Sequence, residues 1–215
     1  MSTKPLSVMQ KKKYPPSGNK HDYYSLGTYW WPNPDTQDGM PYVRHDGLPN
    51  PELADYDSPA LSKMSEAVFT LSLAWFYTGH DPYAYKAREL LKTWFLDPKT
   101  RMNPNLKFGQ AVPGIAEGRG FGIIETGQLI KVVNSIGLLE HSQVLRENEM
   151  AGLQKWFDRY TNWLLTSDLG MAERMWRNNH GSSYDSQVAT FAIFTGQDSV
   201  AAMILDSVKI KRISR

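Results

Sequence analysis

The sequence predicts an all-α fold of stacked αα-hairpins, preceded by a long irregular aromatic segment. Three observations lead there. Nine of the thirteen prolines lie within residues 1–59, where they rule out long helices, because proline lacks a backbone donor and clashes with the preceding turn. From Ser58 onward, apolar residues recur at the spacing of one helix face and are interrupted by glycine and proline. The alternation of a half-buried strand is almost absent.

Residues 1–57 contain "HDYYSLGTYWWPNP". A disordered tail is poor in aromatics, so this reads as an ordered lid or loop segment. Ser58 and Pro59 form a cap and first-turn pair. Leu61, Met64, Val68, Leu71 and Trp75 follow at helical spacing, and Gly79 stops the run. Asp81-Pro82 restarts a helix through Leu90, Leu91, Trp94 and Phe95, which ends before Pro98. Residues 98–121 hold Pro104, Pro113 and four glycines; a loop this long inside a compact domain usually has a function.

A second hairpin follows. Its first helix carries Ile123, Ile124, Ile130, Val133 and Ile136 and closes at Gly137; its second carries Met150, Leu153, Phe157, Tyr160 and Leu164. A third pair begins near Asp185, breaks at Gly196 and restarts at Asp198. The expectation is about six helices in three hairpins over residues 58–215. Such hairpins stack into solenoids or closed toroids. The lack of a fixed repeat period disfavours a solenoid.

Composition narrows the function. A chain of 215 residues, 41% hydrophobic, is long enough for one large domain with a real core. Lys+Arg is 24 and Asp+Glu is 22, a formal net charge of +2, without the basic bias of a nucleic-acid binder. Lys11–Lys13 and the group Lys209, Lys211, Arg212 and Arg215 read as solvated charge. With no cysteine, disulfides and thiolate metal sites are excluded. The first residues contain no apolar signal-peptide core, and no apolar run is long enough to span a bilayer. Seven Trp and eleven Tyr supply either core or sugar-stacking faces.

The familiar cofactor motifs are missing. There is no P-loop and no HExxH, and "GRGFG" at 118–122 lacks both GxGxxG spacing and a preceding strand. His21-Asp22 and His180…Asp185 are isolated pairs, too few for a metal site. Neither a metal nor another cofactor is called for.

"RNNHGSSYDSQ", residues 177–187, carries the chemistry. A helix start capped by Ser182, Ser183 or Asp185, with Asn178 and Asn179 in the turn, explains part of it. It does not explain His180 between Asn179 and Gly181. Proton abstraction beside a carboxylate does. Removing the C5 proton of a uronic acid adds negative charge next to an existing carboxylate. An enzyme must neutralise that group with aimed donors and offer a base. An Asn amide donates without adding a competing anion, and a His or Tyr moves the proton.

"SVMQKKKYPPSGNKHDYYSLGTYWWPNPDTQDGMPYVRHDGLPNPE", "RMNPNLKFGQAVPGIAEGRGFGIIET" and "NNHGSSYDSQVATFAIFTG" together resemble the alginate-lyase-like polysaccharide lyases, in order from about Ser7 to Arg215. The resemblance implies an (α/α) toroid, of which residues 1–215 would be one incomplete domain. It also implies β-elimination on an anionic, uronate-containing polysaccharide, no cofactor, and a periplasmic or secreted location. Asn179 resembles the carboxylate-neutralising Asn and His180 the catalytic His. Tyr29 to Pro32 resembles a loop over the cleft, where Trp30 or Trp31 either stacks on a sugar or packs on the rim. Arg119 is a candidate carboxylate partner, as Arg forks bind carboxylates bidentately, or else a surface Arg. Asn178 and Glu125 complete the candidate substrate-binding set.

Members of that family continue past the helix that ends here in "KIKRIS" into an Arg/Tyr motif holding the proton-transfer Tyr. The expectation is therefore a fragment, weakly active at best, unless His180 and Tyr184 perform the chemistry themselves. A glycoside hydrolase using two of Glu117, Glu125 and Asp185 is one alternative; a non-catalytic sugar-binding fragment is another. Val200, Met203, Ile204 and Val208 on the final helix would leave an open apolar edge that favours self-association.

Overall fold

The computed structural model describes residues 5–213. Seven α-helices form the body: α1 Ser58–Thr78, α2 Asp81–Leu91, α3 Leu129–Glu140, α4 Glu147–Thr166, α5 Asp168–Met175, α6 Asn179–Phe194 and α7 Asp198–Val208. α1 packs on α2 and α3, α4 on α6, and α6 on α7. Two of the three expected hairpins, α1 with α2 and α6 with α7, are present; α3 and α4, expected to pair with each other, pack instead on α1 and α6. The fold is all-α and toroid-like, as expected. Four short strands accompany them. β1 (Tyr24–Leu26) pairs in parallel with β4 (Phe108–Ala111), and β2 (Trp30–Trp31) pairs antiparallel with β3 (Val43–Arg44). The irregular segment is thus pinned to the 98–121 loop and folded on itself.

Several boundaries differ from the periodicity reading. The residue capping α1 is Asp57 rather than Ser58. α3 runs through Gly137 to Glu140. The position beside Gly137 is open space, and burial of Val132, Ile136 and Leu139 outweighs the roughly 1 kcal/mol propensity cost of one glycine. α6 starts six residues before Asp185, and α5, in a stretch assigned to no helix, is a helix whose first turn is capped by Ser167 Oγ accepting from Gly170 N.

A large part of the aromatic content is core. Trp94, Phe95, Phe157, Tyr160, Tyr184 and Phe191 are fully buried within one cluster that joins the hairpins. A second, smaller cluster of Leu26, Tyr42, Tyr56 and Val112 lies under the N-terminal segment, with Trp30 packed against it. Lys11 departs from the solvated reading of its basic run. Its side chain is buried, 2.8 Å from Asp57 Oδ2, and donates to the carbonyls of Val8 and Lys20. Burial lowers the Lys11 pKa and raises that of Asp57 to about 6, each opposed by the other's charge. The other Asp57 oxygen has no hydrogen-bond partner among the described residues. A buried pair of this kind fixes the path of the N-terminal segment against α1.

Candidate active site

The site is assembled from three distant stretches: β2, the "GRGFG" segment, and the junction of α5 with α6. A nine-residue 3-10 segment, Gly120–Gln128, leads into α3. It is tied to α6 through polar groups in the core. Thr126 Oγ1 lies 2.7 Å from both Tyr160 Oη and Gln187 Oε1, and Gln187 Nε2 donates to the Ile123 carbonyl (3.1 Å).

The glycines of "GRGFG" permit close backbone contact. A side chain at Gly118 would collide with the Lys107 carbonyl, and one at Gly122 with the backbone of Gly109. Pressed flat on the strand-forming loop, the segment directs Arg119 and Phe121 to the same side. The Arg119 guanidinium carbon lies 5.7 Å from the Trp30 ring centre and 5.4 Å from that of Phe121. The Phe121 ring meets His180 edge-on at 4.8 Å and Trp176 at 5.0 Å. Trp30, Arg119, Phe121 and His180 therefore form one continuous row.

Arg119 is anchored by one residue. Its Nε donates to the Gln110 carbonyl (2.8 Å) and its terminal nitrogen to Gln110 Oε1 (3.2 Å). Gln110 has a φ of 45°, which strains a residue with a side chain; its own N–H donates to Ser25 Oγ at 2.7 Å. Among the described residues Arg119 makes no ion pair, although it is half-buried. Burial, with Arg44 nearby, lowers its pKa, against the opposing pull of Glu125. A partly desolvated guanidinium without a carboxylate is a ready partner for one.

Asn178 caps α6: its Oδ1 accepts from His180 N at 3.0 Å. This replaces the expected caps Ser182, Ser183 and Asp185. Asn179 is exposed in the first turn, with no side-chain hydrogen bond among the described residues. His180 Nδ1 lies 2.6 Å from Glu173 Oε1 on α5, and its side chain is 16% exposed while that of Glu173 is 0% exposed. Burial raises the Glu173 pKa, and the His180 contact opposes that rise. Gly181 lets α6 start here, because a side chain would strike the Trp176 carbonyl and the Arg212 guanidinium.

Tyr184, Trp31, Tyr29 and Glu125 lie apart from that row. Tyr184 does not reach the cleft: it is fully buried and donates to the Leu164 carbonyl at 2.8 Å. One helical turn, about 6 Å along α6, places it beneath the end of α4. Trp31 ties down its loop, with Nε1 donating to the Leu48 carbonyl at 2.8 Å, while neighbouring Tyr29 is 37% exposed. Glu125 is half-buried and accepts from Tyr23 Oη at 2.8 Å. Burial raises its pKa to about 7, opposed by hydrogen bonding from Ser25, Tyr23 and Gln110.

The three carboxylates of the hydrolase reading have different surroundings. Asp185 is buried against Arg212 (2.8 Å), Glu125 belongs to Tyr23, and Glu117 is exposed. Among the described residues no three His, Asp or Glu side chains converge on a metal position.

Sequence reading missed Glu173, Phe121, Trp176 and Gln110. Only the aromatic inside "GRGFG" could have hinted at Phe121. Glu173 lies in a stretch assigned to no element, so nothing pointed it toward His180.

Comparison with known proteins bears on the fold and the family. The chain matches a solved chain described as the crystal structure of an alginate lyase from Bacteroides ovatus, with a TM-score of 0.95 and 41% sequence identity. The match covers 99% of this chain and 56% of that one, so this chain spans about half the length of that protein. No curated protein sequence matches it. The family model described as alginate lyase matches residues 7–215. The chain belongs to the alginate lyase family.

Proposed function

We propose that this chain carries the carboxylate-neutralising and histidine part of a lyase that cleaves a uronate-containing polysaccharide, alginate-like in its chemistry, by β-elimination. The observation that supports it best is the row itself: a half-buried guanidinium with no carboxylate partner among the described residues, held on the same row as a partly open imidazole. Arg119 and the exposed amide of Asn179 meet the uronate carboxylate and drain charge from it. His180 Nε2 is the proton-transfer group that this chain supplies. The C5–H bond breaks, its electrons form the C4–C5 double bond, and the C4–O4 bond breaks with its electrons leaving on O4. Water, or the tyrosine that the family resemblance places beyond residue 215, returns a proton to O4. No step needs a metal or a redox cofactor.

Residues 1–57 act as the irregular lid and residues 58–215 as the hairpin part of one toroid domain. A periplasmic or secreted location fits an enzyme that meets a polymer outside the cytoplasm, and no described helix is long and apolar enough to cross a membrane. Of the apolar edge expected on α7, Ile204 is fully buried and Met203 is 47% exposed; Met203 with the neighbouring Leu205, 52% exposed, is the reason to expect self-association.

The test is incubation with alginate and polyglucuronate. Elimination creates a conjugated double bond that absorbs in the ultraviolet; hydrolysis creates none. His180→Ala is expected to lower turnover by about 10²–10⁴-fold and oligouronate binding by less than about threefold. Reducing ends without absorbance would support a hydrolase, and equal losses of turnover and binding would remove His180 from the chemistry.

A further inference from the structure

We infer that Glu173 is a positioning residue that fixes the proton of His180 on Nδ1, leaves Nε2 bare toward the cleft, and stabilises the imidazolium that forms when Nε2 takes a proton. This rests on the lyase reading above and deepens it.

Three observations lead to it. The Glu173 side chain is 0% exposed, at the end of an eight-residue helix, where a carboxylate costs much to bury. One of its oxygens, Oε2, has no hydrogen-bond partner among the described residues, and the other lies 2.6 Å from His180 Nδ1. A buried group with an unsatisfied oxygen needs a reason. Its one side-chain hydrogen bond among the described residues is to the ring whose opposite nitrogen is the candidate proton acceptor.

The arrangement also has a built seat. α5 packs on the Gly120–Gln128 segment, and Gly120 lies so close to it that a side chain there would press on the Leu169 carbonyl. Phe121 sets the ring edge of His180 from another side. With rotation of the imidazole limited by Phe121 and its tautomer set by Glu173, Nε2 has one orientation and one role.

The chemistry follows from charge. A carboxylate that has lost its water and found one donor gains when that donor becomes cationic, because charge-assisted hydrogen bonds are stronger than neutral ones. Protonation of Nε2 turns Nδ1–H into such a donor. The gain appears during proton transfer and is absent from the resting state, which is where an interaction raises turnover.

The experiment uses the full chain and two readouts. Nitrogen-15 NMR reads the His180 tautomer without any substrate. The wild type is expected to carry the neutral-form proton on Nδ1, and Glu173→Ala to shift it toward Nε2. Glu173→Gln keeps the volume and removes the charge, so it carries the test if the Ala variant fails to fold; its Nδ1 proton is expected to lose the downfield position of a charge-assisted bond. On alginate or polyglucuronate, both variants are expected to lose about 10²-fold or more in kcat with KM within about threefold.

A wild-type His180 protonated on Nε2, or a Glu173→Gln protein with undiminished kcat, overturns the inference. If the wild type neither cleaves nor binds a uronate polymer, the lyase reading fails, and the tautomer measurement still decides the role of Glu173.

Discussion

Arg119 and Gln110 form a closed unit in which one strained residue holds one cation by two bonds. The Gln110 carbonyl and side-chain oxygen both accept from the guanidinium, at 2.8 and 3.2 Å, and the backbone of Gln110 sits at a φ of 45°. The Trp30 and Phe121 rings flank the same group. Such strain, of order 1–3 kcal/mol, persists only where the surroundings impose it.

Arg119→Lys tests what this unit does. Lysine keeps the charge and loses the planar fork and the flanking aromatic contacts. Affinity for oligouronate is expected to fall about tenfold, or 1.4 kcal/mol, with a smaller effect on a neutral oligosaccharide of equal length. Calorimetric titration measures both. Equal loss for the two ligands would mean that Arg119 supports the cleft without meeting the carboxylate.

Tyr184→Phe separates the core role from the chemical one. The hydroxyl donates to the Leu164 carbonyl from a fully buried position. Its removal is expected to cost about 1–2 kcal/mol of stability and to leave kcat within about twofold of wild type. Chemical denaturation and the ultraviolet assay give the two numbers. A large kcat loss at unchanged stability would return Tyr184 to the mechanism.

Arg212 should matter to the site through structure. It donates to Asp185 Oδ2 at 2.8 Å and to the carbonyls of Trp176 and Arg174, at 2.6 and 3.0 Å, so it clamps the turn just before Asn178. Arg212→Ala leaves Asp185 buried without its cation, and about 3 kcal/mol of destabilisation is expected. Hydrogen exchange of the 174–180 backbone should rise in the same variant; protection equal to wild type would argue against the clamp.

Glu125 imposes a pH dependence on stability. Its pKa is raised from an ordinary 4.5 to about 7, chiefly by burial. Folding therefore favours the protonated form. The contribution is complete below the ordinary value and is lost as pH rises through about 7. Glu125→Gln is expected to reduce the fall in Tm between about pH 5 and pH 8. Part of the fall should remain, because burial also raises Asp57 and Glu173. Parallel Tm curves for variant and wild type would place the Glu125 carboxyl in water.

Local pattern determined much of this protein. Leu61, Met64 and Val68, or Leu153, Phe157 and Tyr160, must share a face whenever the chain is helical, so the helices could be read from spacing alone, though not that α3 would pack on α1 instead of α4. The quoted motifs carried the family resemblance, and with it Asn179 and His180. Tertiary structure decided what each side chain meets. Tyr184 lies four residues from His180 and reads as its neighbour on the helix, yet His180 is in the exposed first turn and Tyr184 is a turn deeper, under α4. Lys11 reads as solvated because its run is basic, and only the fold brings Asp57 to it. Glu173 reaches His180 across the break between two helices, and Phe121 reaches it from a segment some sixty residues earlier. Periodicity encodes the face a residue occupies on its own element; the partner across a gap depends on how elements pack, and no local spacing carries that information.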